Sequence, residues 1–186
     1  MRLLLTSCGL ETEQIKRFFL EMLGKEPDRA KSLFIPTAAI DADAISVLPA
    51  CLDDLLKCGI PKQNIVVFDL HKNMPVEELT TYDVVYLCGG VTSYLLQRIN
   101  DTGFCDTLTS YIRANGLVIG VSAGSMIFAK NQPDHLPLID MEMDVHCDEG
   151  TAPGKIAFPV KEKIALTNTA AIIVRNIPDD IILIDG

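Results

Sequence analysis

A chain of 186 residues is long enough to bury one sizeable core and barely long enough for two domains. With 48% hydrophobic and 22% charged residues it has the composition of a folded globular protein, which excludes intrinsic disorder. Its formal net charge of −9, without any cluster of Lys and Arg, makes nucleic acid and anionic membranes poor partners.

The opening RLLLTS reads as a strand. Leu5-Thr6-Ser7-Cys8 has the form of a lipoprotein cleavage box, but the apolar stretch leading into it is only three leucines, Leu3 to Leu5, and Glu11 and Glu13 follow at once. A signal peptide needs an apolar stretch of roughly 7 to 15 residues. The expected location is therefore cytoplasmic, and no later stretch is long enough to span a membrane. In ETEQIKRFFLEMLG, Ile15, Phe18, Phe19, Met22 and Leu23 recur at helical spacing and Gly24 is a stop signal. SLFIPTAA is the next buried strand. ADAISVLPACLDDLLKCG follows as a helix in which Pro49 marks either a kink or the first turn.

NIVVFDL and YDVVYLCGG are the third and fourth strands, TSYLLQRIN and FCDTLTSYIRANG a helix pair, and LVIGVS the fifth strand. Continuous apolar strands separated by helices predict a parallel sheet covered on both faces. Beyond Ser122 the character changes. HLPLIDMEMDVHCDEG alternates, with Asp140, Glu142, Asp144 and His146 on one face of a strand and Met141, Met143 and Val145 on the other. KIALTN, AAIIVRN and DIILIDG read as short strands that finish the chain antiparallel. No repeat or linker interrupts residues 1–186, which read as a single domain. None of the six cysteines forms a C-x-x-C pair, and their spacing does not suit a zinc site.

In an open parallel sheet, sites form at the carboxyl ends of strands. Two glycine-rich turns lie there: Gly89-Gly90-Val91-Thr92 after the fourth strand, and Gly120-Val121-Ser122-Ala123-Gly124-Ser125 after the fifth. The second has the G-x-S-x-G pattern of a nucleophile elbow, in which a sharp strand-to-helix turn exposes a hydroxyl. A tight turn from strand to helix needs the same small residues without any chemistry. The Ala123 N–H, at the start of a helix, would face developing negative charge, and the Gly90 N–H is the natural second donor. Gly89, Val91, Thr92 and Ser125, in the same two turns, are candidates for substrate contacts.

A serine nucleophile needs a base. His71 follows the third strand, His135 sits in the polar loop NQPDHLP, and His146 ends the alternating segment. His146 is the first choice. No histidine follows it, which argues against the order of catalytic residues in α/β-hydrolases.

The succession YLCGGVTSYLLQ, VIGVSAGSMI, DMEMDVH and IALTNTAAIIV resembles the peptidase E (aspartyl dipeptidase) and cyanophycinase family of serine peptidases, over nearly the whole chain. The resemblance implies an α/β three-layer sandwich with a mostly parallel sheet, similar to class I glutamine amidotransferases and flavodoxin-like, with short antiparallel C-terminal strands. It implies Ser122 as nucleophile, His146 as general base, and Gly90 and Ala123 as oxyanion donors, without metal or cofactor. Peptidase E hydrolyses dipeptides with N-terminal aspartate, and cyanophycinase cleaves an aspartate–arginine polymer.

The chain departs from the family pattern in three places. Val91 stands where the family's turn reads Gly-Gly-Asn. The family's helix with basic residues after the histidine is replaced by CDEGTAPGKIAFPVKEK, broken by Pro153, Gly154 and Pro159. Near LTNTAA, where an acidic third member is expected, stand Asn168, Thr169 and Ala170. Asn168 could set the imidazole tautomer without stabilising the imidazolium as a carboxylate does; Asp134, Asp144 and Asp148 are the alternatives.

The leading expectation is a serine peptidase or amidohydrolase acting on small peptides, monomeric or homodimeric. An acidic side chain at the cleaved residue would need a cation, for which Arg98, Arg113, Arg175 and Lys155 are available. A catalytically impaired relative acting as a small-ligand binding or regulatory module is the alternative. A phosphate or nucleotide binder using the two turns is a weaker third, without a G-x-G-x-x-G or Walker pattern to support it.

Overall fold

The computed structural model describes residues 1–177 and 179–186. Its five parallel strands are β1 (Arg2–Thr6), β2 (Ser32–Ile35), β3 (Ile65–Val67), β4 (Val84–Leu87) and β5 (Leu117–Val121). They lie in the order β3-β2-β4-β5-β1. Next to β1 the sheet turns antiparallel through β9 (Ala170–Asn176), β10 (Asp180–Asp185) and the short β7 (Gly154–Lys155).

The helices sort by the direction in which the chain moves across the sheet. From β1 to β2 to β3 it moves one way, and α1 (Glu13–Leu23) and α2 (Ala42–Lys57) cover one face. From β3 to β4 to β5 it moves back, and α3 (Val76–Leu79), α4 (Thr92–Asp101) and α5 (Phe104–Arg113) cover the other. Right-handed crossovers demand this reversal, because a crossover of fixed hand changes face when it changes direction. Strand residues alternate accordingly. Leu4, Phe34, Tyr86 and Ile119 pack against Ile15, Phe19 and Leu55. Leu3, Leu33, Val85 and Val118 pack against Leu95, Ile99, Phe104 and Leu108. Both faces are buried, which is why the parallel strands read as unbroken apolar runs. The three-layer α/β expectation is met.

Local signals set the helix ends. The Thr12 side chain accepts from the Ile15 N–H at 3.2 Å, Asp41 caps α2 at Ala44, and α1 stops at Gly24. Pro49 sits in the middle of α2, not in its first turn. It leaves the Ile45 carbonyl without its helical donor, a loss that water can make good because this half of α2 is exposed.

Other expectations need correction. In the alternating segment, Met141 and Met143 are buried while Asp140 and Glu142 are exposed, but only β6 (Met143–Asp144) is a strand. It pairs in parallel with β8 (Ile164–Ala165), so KIALTN forms a separate two-stranded ribbon and not part of an antiparallel finish. The helix after Ser122, α6 (Ala123–Met126), lasts one turn. Met126, Ile127, Phe128 and Ala129 are buried in succession, a pattern that no one-sided helix can satisfy.

Candidate active site

Strand order builds the site. β5 lies between β4 and β1, so the turn after β5 is flanked by Gly89-Gly90 and by Ser7-Cys8. β5 runs on into the α6 side of the sheet and β1 into the α1 side, so the crevice at their carboxyl ends is a topological switch point.

Ser122 is held at φ 48°, ψ −108°, a conformation that L-residues rarely adopt. Its N–H donates to the Thr6 carbonyl at 2.9 Å, and its carbonyl accepts from Ser125 and Met126 at 2.9 Å each. Ser125 clamps the turn from beneath. Its fully buried hydroxyl accepts from the Thr6 N–H at 2.9 Å and lies 2.8 Å from the Thr6 carbonyl and 2.7 Å from the Gly120 carbonyl. Ser125 therefore braces β1 against the elbow and is not a substrate contact.

The imidazole of His146 bridges two partners. Its Nε2 is 2.9 Å from Ser122 Oγ and its Nδ1 is 2.9 Å from Asn168 Oδ1. His146 stands at φ 57°, and its N–H donates to Ser7 Oγ, which in turn donates to the Leu166 carbonyl, each at 3.2 Å. Ser7 thus ties β1 to both segments that carry the imidazole and its amide partner. Of the alternatives for that partner, Asp134 makes no hydrogen bond to the imidazole among the described residues, Asp144 is paired with Lys163 at 2.5 Å, and Asp148 is exposed. The other histidines are elsewhere: His71 pairs with Asp69 at 2.7 Å and His135 lies 3.0 Å from the Gln132 carbonyl.

Gly89 lies directly against the elbow; a Cβ there would sit 3.8 Å from Ser122 Oγ. Gly90 has φ +136°, and a Cβ would fall 2.0 Å from the Ala38 carbonyl oxygen, so only glycine fits. Val91 anchors this turn by donating its N–H to Ala38 at 2.8 Å. The Ala123 and Gly90 N–H groups have no acceptor among the described residues. Val91 and Thr92 lie outside the cavity, because Thr92 already begins α4.

A cavity of about 460 Å³ opens beside Ser122 and His146, walled by Ser7, Cys8, Glu11, α2 from Asp43 to Asp54, Gly89 and Gly90. Sequence reasoning missed Ser7, Cys8, Glu11, Asp43 and Asp54, whose only local signal is proximity to the end of a strand or helix. None of the four proposed cations lines it. Arg98 donates to the Leu70 carbonyl at 2.7 and 2.9 Å, Arg175 pairs with Asp180 at 2.8 Å, Lys155 is in β7 at the sheet edge, and Arg113 ends α5. Burial raises the pKa of Asp54, opposed by hydrogen bonds from Leu10 N–H and Tyr86 O–H. No cluster of three or more His, Cys, Asp or Glu side chains among the described residues could hold a metal ion.

Comparison with known proteins agrees with this architecture. The 1.5 Å crystal structure of a peptidase E candidate from Listeria monocytogenes EGD-e superposes with a TM-score of 0.76 at 23% identity, covering 100% of this chain and 98% of that one. A peptidase from an acI-B1 actinobacterium superposes with a TM-score of 0.66 at 16% identity, covering 100% and 87%. At such identities the likeness is one of fold. In sequence, an uncharacterized peptidase of Pasteurella multocida is 38% identical over 113 residues, 61% of this chain and 54% of its own length. One of Listeria innocua is 32% identical over 98 residues, 53% and 47% of the two lengths. The chain spans about half the length of the curated relatives it matches. The model of peptidase family S51 matches residues 3–141, a stretch that includes both glycine turns and Ser122 and stops short of His146. On that match the chain belongs to peptidase family S51.

Proposed function

We propose that this S51 chain is a serine-type peptidase or amidohydrolase that cleaves small peptides through an acyl-enzyme. The observation that carries the reading is the relay Ser122 Oγ–His146 Nε2–Asn168 Oδ1, with both links at 2.9 Å. The Asn168 amide oxygen accepts from Nδ1–H, so the Nε2 lone pair faces the hydroxyl. His146 takes the Ser122 proton as Oγ attacks the peptide carbonyl, and the oxygen becomes an oxyanion facing the Gly90 and Ala123 N–H groups. His146 then gives that proton to the leaving amine as the C–N bond breaks. A water molecule, deprotonated by His146, hydrolyses the resulting ester. An amide as third member has a precedent in Cys-His-Asn enzymes. The cavity of about 460 Å³ suits a dipeptide or similarly small amide.

A fluorophosphonate probe tests the reading, since it labels a serine only when a base activates it. Labelling of wild type at Ser122, lost in His146→Ala with the fold retained, is the expected result. An unlabelled wild type would favour the binding-module alternative. Asn168 gives a second test. Asn168→Ala is expected to lower kcat on the order of 10²-fold with little change in KM, because the imidazole loses its tautomer lock. Asn168→Asp should match or exceed wild type by supplying the missing carboxylate. A wild-type kcat in Asn168→Ala would remove this residue from the mechanism.

A further inference from the structure

The charge of the cavity runs against an acidic substrate. Three carboxylates, Glu11, Asp43 and Asp54, line it, and neither lysine nor arginine does. They come from the β1–α1 loop and from α2, the wall formed on the α1 side of the crevice. Asp54 anchors that wall. Its Oδ2 accepts from the Leu10 N–H at 2.9 Å and from the Tyr86 hydroxyl at 2.7 Å, while Oδ1 has no donor among the described residues. Lys16, the cation that acts on Asp54, is itself bonded to Glu13 at 2.6 Å.

The wall carboxylates act on a thiol that lies beside the imidazole. The Cys8 thiol lies 3.7 Å from His146 Nδ1. Its pKa is raised by burial first, and then by Glu11, Cys51 and Asp54. A carboxylate side chain bound beside Ser122 would meet like charges in a partly enclosed space, whereas an ammonium or guanidinium would find acceptors already in place.

We infer that this cavity selects small peptides bearing a basic side chain, with Glu11, Asp43 and Asp54 as the groups that make the selection. The inference rests on Ser122 as the site of hydrolysis, and it departs from the aspartyl preference that the family resemblance implies. Asp54, already engaged by Leu10 and Tyr86, sets the field of the wall; Glu11 and Asp43, both exposed, are free to contact the ligand. The same field opposes phosphate groups.

Lysyl-leucine, leucyl-leucine and aspartyl-leucine are the probes. In hydrolysis by wild type, kcat/KM for lysyl-leucine should exceed that for aspartyl-leucine by on the order of tenfold or more, with leucyl-leucine between them. Raising the salt concentration should narrow the ratio, since exposed charges are screened. The Glu11→Gln, Asp43→Asn double variant should lower the ratio several-fold, leaving only the preference that Asp54 supplies. Calorimetric binding of the same dipeptides to Ser122→Ala repeats the comparison without chemistry. Tighter binding of lysyl-leucine there supports the inference even where wild type hydrolyses none of the three, a result that would count against the peptidase reading alone. Equal binding, tighter aspartyl-leucine, or a ratio unchanged in the double variant overturns it.

Discussion

Ser122→Ala is expected to abolish peptide hydrolysis, lowering kcat/KM by on the order of 10⁴-fold or more, while leaving the fold and its unfolding midpoint unchanged. The two halves of this expectation have separate causes. On the proposed mechanism, activity depends on the hydroxyl 2.9 Å from His146 Nε2, and alanine has none. Stability depends on the turn, whose backbone bonds to Thr6, Ser125 and Met126 do not involve the Ser122 side chain. Alanine at φ 48° bears the same backbone strain as serine. Glycine does not, so Ser122→Gly should be equally inactive and more stable by about 1 kcal/mol. Release of free amino acid by chromatography and unfolding in urea measure the two halves. Retention of a tenth of wild-type activity in Ser122→Ala would point to another nucleophile, and the Cys8 thiol beside His146 would be the first to examine.

Gly124→Ala should give a large loss of stability. A Cβ at Gly124 would sit 2.3 Å from the Leu87 carbonyl oxygen and 2.8 Å from Leu87 Cβ, both in a strand at the centre of the sheet. Gly120 interlocks with the same turn, because a Cβ there would lie 2.5 Å from the Gly124 carbonyl oxygen. A backbone in a central parallel strand cannot move aside as a flexible side chain would, so α6 must lift away from β4. We expect a loss of about 3 kcal/mol or more, the upper range for overpacked cores, seen as a lower urea midpoint with an unchanged slope. Activity per folded molecule should fall as well, since the shift carries Ser122 with it. A midpoint within about 0.2 M of wild type would show that the elbow has slack the close packing denies.

The strands β1, β2, β4 and β5, the helices α1, α4 and α5, and the elbow at Ser122 were legible in the sequence because each is a local affair. A strand buried on both faces must be apolar throughout, a helix covering a sheet must repeat its apolar residues at helical spacing, and a sharp strand-to-helix turn must be built of small residues. Gly90 likewise announced itself, since its contact with Ala38 tolerates no side chain. His146 emerged by elimination among few histidines. Its partner did not. Whether Asn168 or one of the aspartates would meet the imidazole depended on how β6 and β8 pair, and on Ser7 joining β1 to both through bonds between residues more than a hundred positions apart. The acidic wall was hidden for the same reason. Glu11, Asp43 and Asp54 look in sequence like the wet sides of a loop and a helix. They meet at the mouth of one crevice because the order β2-β4-β5-β1 sets the ends of β1, β4 and β5 side by side and crossover handedness places α1 and α2 on the same face.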